Sequence, residues 1–303
     1  MKKIALVIIY NHRFDRNIPI LEDLLDSKWS HIFHVVPFYD GDKENVIPVY
    51  ESSLFYSGYI AQAYTHLKEK GFTHFVFIGD DMVLNPMLDE STIHDKLGLA
   101  DNESFIPTLE CLDNRKWSNT SYALYFTLKN KGAEVSRFLP PYEEAVKIFE
   151  SKGFCNHTSV SFMTALRNLG HNNIIEIRSF LRCLVRVARH MFRRVPFEYP
   201  FVGAVSDFLI IDAETMPLFV HYCGVFAALP LFIEVAVPTS LVLACKNIKT
   251  QDSCSLKEGY FWNDDVATFE KQYDGSYYNL IKNFPVNKLF VHPVKLSKWM
   301  PKK

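Results

Sequence analysis

Two adjacent carboxylates, Asp80 and Asp81, close the run Phe75-Val76-Phe77-Ile78-Gly79. An apolar run of this kind is a buried strand, and buried strands do not ordinarily stop at two acids. Neighbouring carboxylates repel unless a cation or a strong donor lies between them. A divalent metal that carries a substrate diphosphate meets that need. Capping of the turn after the strand is the plainer alternative. A second acidic pair follows two aromatic residues in Phe261-Trp262-Asn263-Asp264-Asp265. A third group, His292 with Lys295 and Lys298, lies near the end of the sequence. Each group also has a structural explanation. Asp264 and Asp265 suit the first turn of a helix, His292 a buried structural position, and the lysines a solvated tail.

The elements that must position these residues alternate in type. Residues 4–10 read as a buried strand, Ile18–Leu25 as a short helix and 32–38 as a second strand. A helix over 53–70, stopped by Gly71, leads to a third strand over 74–78. This βαβαβ order predicts an α/β fold, with a mostly parallel central sheet flanked by helices and ligands at the carboxyl ends of its strands. Asn11, Asp40 and Asp80/Asp81 fall at such ends. No GxGxxG follows the first strand, and no GxxxxGK[ST] occurs, so ordinary dinucleotide and P-loop chemistry are disfavoured. Further on, a short strand is expected over 121–127, and a helix over 142–152 with Pro141 at its start. Residues 202–212 read as a strand interrupted by Ser206-Asp207. Residues 215–245 carry one formal charge, Glu234, and could be mistaken for a membrane span. Pro217, Gly224, Pro230 and Pro238 interrupt them, so two buried helices broken near Pro230 are expected. Glu234 is then a core carboxylate or a residue facing the site.

A chain of 303 residues accommodates one large α/β domain or two small ones. Its 25 Phe and 15 Tyr predict a Phe-rich core. The net charge of −1 argues against a nucleic-acid partner recruited by overall charge. The six cysteines, at 111, 155, 183, 223, 245 and 254, form no CxxC pair and read as reduced core thiols of a cytoplasmic protein. The apolar N-terminal run is too short for a signal peptide, and Asn11-His12-Arg13 ends it without a cleavage site. Charge is concentrated in one place. Arginines stand at 178, 182, 186, 189, 193 and 194, mostly one helical turn apart, with no acid between Ile177 and Phe197. Solvated helix faces usually mix both signs. A basic amphipathic helix over 177–194 therefore reads as a surface for anionic lipid head groups or phosphorylated ligands.

An acid-bearing strand end, a later carboxylate pair after an aromatic residue and a terminal His-x-x-Lys together resemble glycosyltransferases of the A-type (GT-A) fold. These are Rossmann-like enzymes that use nucleotide-diphosphate sugars. The resemblance follows the order of elements over most of the chain and is specific only at these motifs. It implies a single catalytic domain over 1–303, with a nucleotide-binding half (1–100) and an acceptor half (101–303). The family's Asp-x-Asp triplet is Gly79-Asp80-Asp81 here, so its first acid is missing. By this resemblance Asp81 and His292 are metal ligands for Mn²⁺ or Mg²⁺, Asp80 contacts ribose or metal, and Lys295 reaches the diphosphate. Imidazole with carboxylate suits Mn²⁺, and carboxylate with water suits Mg²⁺. Asp264 or Asp265, with Asp207 as a further candidate, would deprotonate or orient the acceptor. Tyr10, Asn11, His12 and Arg13 would lie by the base of a UDP-sugar, and Asp40 by the ribose.

The segments Tyr10-Asn11-His12-Arg13, 45–53 and Glu234-Val235-Ala236-Val237-Pro238-Thr239 resemble bacterial enzymes of surface-polysaccharide assembly. That narrower resemblance implies transfer of a hexose, with galactose in pyranose or furanose form among the options. The acceptor would be a lipid-linked saccharide or polysaccharide of O-antigen or capsule synthesis. The basic helix would then hold the enzyme peripherally on the inner face of the plasma membrane. Two other readings remain. A sugar-phosphate nucleotidyltransferase shares fold and metal, but usually has a glycine-rich basic loop that Asn11-His12-Arg13-Phe14 lacks. A non-catalytic scaffold subunit accords with Gly79.

Overall fold

Side-chain alternation along the strands creates two cores. Ile4, Leu6, Ile8 and Tyr10 enter one, and Ala5, Val7 and Ile9 enter the other. Val76 and Ile78 part from Phe75 and Phe77 in the same way, as do Phe208 and Ile210 from Leu209 and Ile211. A sheet covered on both faces needs such uninterrupted apolar strands. The computed structural model describes residues 2–112, 134–154, 159–169, 177–197, 199–262 and 264–299.

The strands are β1 (Ile4–Ile9), β2 (Ile32–Pro37), β3 (Val46–Val49), β4 (His74–Gly79), β5 (Val83–Leu84), β6 (Ser104–Phe105), β7 (Glu110–Cys111), β8 (Ser159–Ser161), β9 (Arg194–Pro196), β10 (Val202–Gly203), β11 (Phe208–Asp212), β12 (Ile248–Lys249) and β13 (Phe290–Val291). The helices are α1 (Ile18–Leu25), α2 (Ser57–Leu67), α3 (Ile93–Leu97), α4 (Tyr142–Ser151), α5 (Phe162–Leu169), α6 (Ile177–Arg189), α7 (Met216–Ala228), α8 (Ile233–Ala244), α9 (Asp264–Gln272) and α10 (Tyr277–Lys282). Seven strands form the main sheet in the order β12-β6-β11-β4-β1-β2-β3. It is mostly parallel, as β1 to β4 require, while β11 runs antiparallel to both β4 and β6. Helix α2 packs with α7, and α7 with α8, over one face. A third core gathers around α4, α5, α6 and β8 to β10.

The α/β class and the parallel register of the first strands agree with the sequence, and several boundaries differ. The helix expected over 53–70 is α-helical only from Ser57 to Leu67, with a tight 3₁₀ turn at each end. Ser52 caps its entry by accepting from the Leu54 amide, and Gly71, at φ 69°, ends it in the left-handed conformation glycine tolerates. The strand expected over 202–212 is two strands in different sheets. β10 pairs with β7, β11 pairs with β4, and Ser206-Asp207 lies in the break. The helix expected over 177–194 stops at Arg189, because Arg194–Pro196 is drawn into a pair with β8. Strand β3 has no counterpart in the sequence reading. Pro48 removes one ladder donor, which an edge strand tolerates. The two helices broken near Pro230 are present as α7 and α8. The strand expected over 121–127 lies outside the described residues. Cys183, Cys223, Cys245 and Cys254 are buried free thiols, Cys111 is only part-buried, and Cys155 lies outside the described residues. Among the described residues no helix is long and apolar enough to cross a membrane.

Candidate active site at the carboxyl end of the sheet

The end of β4 is held from both sides. The Asp80 amide donates to Ile9 O at 3.0 Å, and the Gly79 amide to Asp207 O at 3.1 Å. The chain then turns into β5, which pairs antiparallel with β13. This short ladder brings the C-terminal segment to the acidic strand end. The Val294 amide donates to Asp81 O at 2.6 Å, the His292 amide to Gly259 O at 2.9 Å and the Phe261 amide to His292 O at 2.9 Å. Position 259 must be glycine for this approach, since a Cβ there would sit 2.1 Å from Phe290 O. The result is a direct contact of 3.0 Å between Asp81 Oδ1 and His292 Nε2.

Asp207 enters from the neighbouring strand. Phe208 pairs with Ile78, so Asp207 stands opposite Gly79, the position that lacks an acid. The site therefore collects Asp80, Asp81, Asp207 and His292. Burial pushes the Asp80 carboxyl up to about 7, with Asp81 adding to the rise, while Asn17 Nδ2 donates to Asp80 Oδ2 at 3.1 Å and opposes it. Burial also raises Asp207, partly offset by His292. Burial alone would lower His292, but its 3.0 Å contact with Asp81 and the charges of Asp207, Asp81 and Asp80 outweigh it and raise its pKa. Three nearby carboxyl groups are thus enough to reverse the effect of burial.

The donor chemistry suits a divalent cation. A carboxylate oxygen and an imidazole nitrogen face each other, and His292 Nδ1 is buried without a hydrogen-bond partner. The spacing is closed, however. Among the described residues no group of three His, Cys, Asp or Glu side chains stands at metal-holding distances. Asp81 and His292 must part for an ion to enter between them.

The other expected residues are distributed around this centre. Asn11 lines a small pocket with Tyr56, Gly79, Ser206 and Asp207. Tyr10 is fully buried and its hydroxyl meets His34 Nδ1 at 2.9 Å, so it supports the loop from beneath and offers no open surface to a base. Arg13 pairs with Asp40 and with Asp15 at 3.1 Å, and also donates to Phe38 O, so Arg13 and Asp40 form one exposed rim. His12 is exposed beside them. Lys295 is exposed one residue beyond the Val294 clamp. Asp264 opens α9, and Asp265 lies exposed in its first turn with its amide donating to Trp262 O. The helix-start explanation of this pair therefore holds for the backbone. The preceding aromatics divide by strand parity. Phe261 stacks on Phe269 in the core, and Trp262 is half-exposed, stacked on Tyr260 and edge-on to His292.

Three residues escaped the sequence reading. Tyr56 is buried and donates to Ser206 O at 2.8 Å. The Tyr260 hydroxyl is buried without a hydrogen-bond partner, and its ring meets His292 edge-on at 5.6 Å. Asn17 holds Asp80. Only Tyr260 carried a signal, because it is the same-face neighbour of Trp262 along an extended segment. Glu234 is part-buried, and its charge acts on both Tyr56 and Tyr260. It faces the site. No protein-family model matches this chain, and no curated protein matches it significantly.

Proposed function

We propose that this protein is a metal-dependent glycosyltransferase that moves a hexose from a UDP-sugar to a lipid-linked saccharide or polysaccharide acceptor. One observation carries the reading. Asp81 and His292, far apart in the sequence, meet at 3.0 Å at the carboxyl end of a mostly parallel sheet. In open α/β sheets that edge is where ligands bind.

In such a transfer the bond from the sugar's anomeric carbon to the diphosphate oxygen breaks, and the acceptor hydroxyl oxygen bonds to that carbon. UDP leaves with the bonding electron pair. A bound Mn²⁺ or Mg²⁺ supplies Lewis-acid stabilisation of that charge. Asp81 and His292 would hold the ion, with Asp207 across the ladder taking the place of the acid missing at Gly79. Lys295 would add a positive charge towards the diphosphate. Asn11, Arg13 and Asp40 form the rim where base and ribose would rest. The acceptor proton needs a carboxylate. Asp265, beside Trp262 at the edge of the site, would take it. Half-exposed Trp262 offers an apolar face for a sugar ring.

The test is a thermal melt with UDP, GDP and CDP, each with and without Mn²⁺, on wild type, His292→Ala and Asp207→Asn. A ligand at a hundred times its dissociation constant adds about 2.7 kcal/mol to stability. The expected outcome is a Mn²⁺-dependent rise with UDP that is lost in His292→Ala and reduced in Asp207→Asn. No rise with any nucleotide would favour the scaffold reading, in which the Asp81–His292 pair is purely structural.

A further inference from the structure

Helix α6 is not amphipathic in the simple two-faced sense. Cys183 and Val187 are buried against α5 and the β8–β9 pair. Leu181, Leu184, Val185 and Ala188 recur at helical spacing on a second face, and all are exposed. Arg182 and Arg189 fall on a third face beyond them. Among the described residues Arg182, Arg189 and Arg193 form no ion pair. No acid occurs anywhere from Ile177 to Phe197. Helix α5 adds exposed Met163 and Leu166. No other stretch of similar length among the described residues exposes as many large apolar side chains.

The turn from α6 to β9 supplies an independent observation. Phe192 is 88% exposed and has φ 63°. A bulky residue in the left-handed region is strained by roughly 1 kcal/mol or more, at a site where Gly or Asn would be relaxed. Water gains nothing from a phenyl ring displayed at that cost. An observed outlier of this kind is a reason to look for a function.

We propose that the α5–α6 unit is an interfacial anchor for an anionic bilayer. The exposed face of α6, with Met191 and Phe192 at its end, enters the boundary between head groups and acyl chains. Arg182, Arg189 and Arg193 remain at head-group level and neutralise lipid phosphates. Insertion of the apolar face separates this mode from adsorption by charge alone, and a bilayer is the occupant whose chemistry matches both parts. The proposal does not depend on the donor-sugar chemistry, and its test uses no nucleotide.

Sedimentation of the full chain with vesicles of phosphatidylcholine, with and without phosphatidylglycerol, is the experiment. Binding is expected only to the anionic vesicles. Each of Arg182→Glu and Arg189→Glu should weaken it about fivefold or more. Phe192→Ser should weaken it about tenfold, even at low salt, because it removes buried ring area without changing charge. Phe192→Ser should also melt close to wild type, since the ring it removes is 88% exposed and the backbone strain is the same with either side chain, so weaker binding is not a folding artefact. Equal binding to neutral vesicles, an unchanged Phe192→Ser variant, or displacement by soluble inositol hexakisphosphate at micromolar concentration without loss on Phe192→Ser would each overturn the anchor.

Discussion

At the scale of single residues, Asp80 holds the clearest conflict between stability and use. Its carboxyl is buried, lies beside Asp81 and accepts from the neutral Asn17 side chain. Burial, then the Asp81 charge, moves it from 3.8 to about 7. The folded state therefore holds a proton that the unfolded chain has lost. Stability is full below pH 4 and falls as the pH rises towards 7. The whole shift corresponds to a ceiling of about 4 kcal/mol. Asp80→Asn removes that cost and keeps a side-chain acceptor for Asn17. The variant should melt above wild type at pH 8, and the gain should shrink to nothing near pH 4. A constant difference across that range would show that Asp80 is ionised in the fold without penalty. The acidic pair itself was legible in the sequence, because two acids after four apolar residues break the pattern of a buried strand. The different environments of its members were not. Successive residues point to opposite sides, and only the paths of α1 and β13 decide that Asp80 meets Asn17 while Asp81 meets His292.

The element that completes the site is a strand of two residues. Two residues of β13 pair with two of β5, and this ladder sets the position of His292. Its strength lies in one side chain. Phe290 is fully buried, stacks on Phe208 at 5.6 Å and meets Tyr260 edge-on at 5.0 Å. Truncation of such a residue leaves a cavity and costs about 3–5 kcal/mol. Phe290→Ala should therefore lose that much in denaturant unfolding. It should also lose the Mn²⁺-dependent nucleotide shift, although residue 290 bears no polar side chain. Phe284→Ala, at a buried position in the same core but outside the ladder, should destabilise and retain the shift. Loss of the shift in both variants would mean that general destabilisation, not placement of His292, is being read. Strands β1, β2 and β4 and helices α1 and α2 between them were legible because each is a sustained apolar or amphipathic segment. β5, β13 and β3 were not. Two-residue strands carry no period, and Pro48 hides an edge strand behind a residue that argues against sheets. Asp207 was legible as an interruption, but its place opposite Gly79 depends on the antiparallel direction of β11, which a βαβ pattern does not contain.

Across the whole molecule, the two ends of β4 titrate with opposite sign. The carboxyl end leads to Asp80 and its raised carboxyl. The amino end begins at His74, whose ring packs edge-on against His94 at 4.2 Å, with both side chains buried. Burial, then the proximity of His74 and Lys2, pulls His94 down to about 4. Burial and Lys2 lower His74 as well. His34, buried on β2 against Tyr10, is likewise held at about 4, chiefly by burial. Such histidines are neutral in the fold and take a proton on unfolding once the pH falls below 6.5. Their stabilising contribution is therefore full above that value and is lost as the pH drops towards 4. For one histidine the loss between pH 7 and pH 5 is about 2 kcal/mol. Both ring nitrogens of His94 are buried without a hydrogen-bond partner, so replacing the ring by an apolar group removes unpaired polar atoms as well as the titration. His94→Leu should therefore gain about 2 kcal/mol on wild type as the pH is lowered from 7 to 5. Because the substitution lies at the amino end of the sheet, it should leave the nucleotide-dependent shift of the melt unchanged. Asp80→Asn should gain in the opposite direction, as the pH is raised. Parallel pH profiles for wild type and His94→Leu would show that the His74–His94 pair already takes up a proton in the folded state. The neutral, desolvated amino end described here would then be wrong.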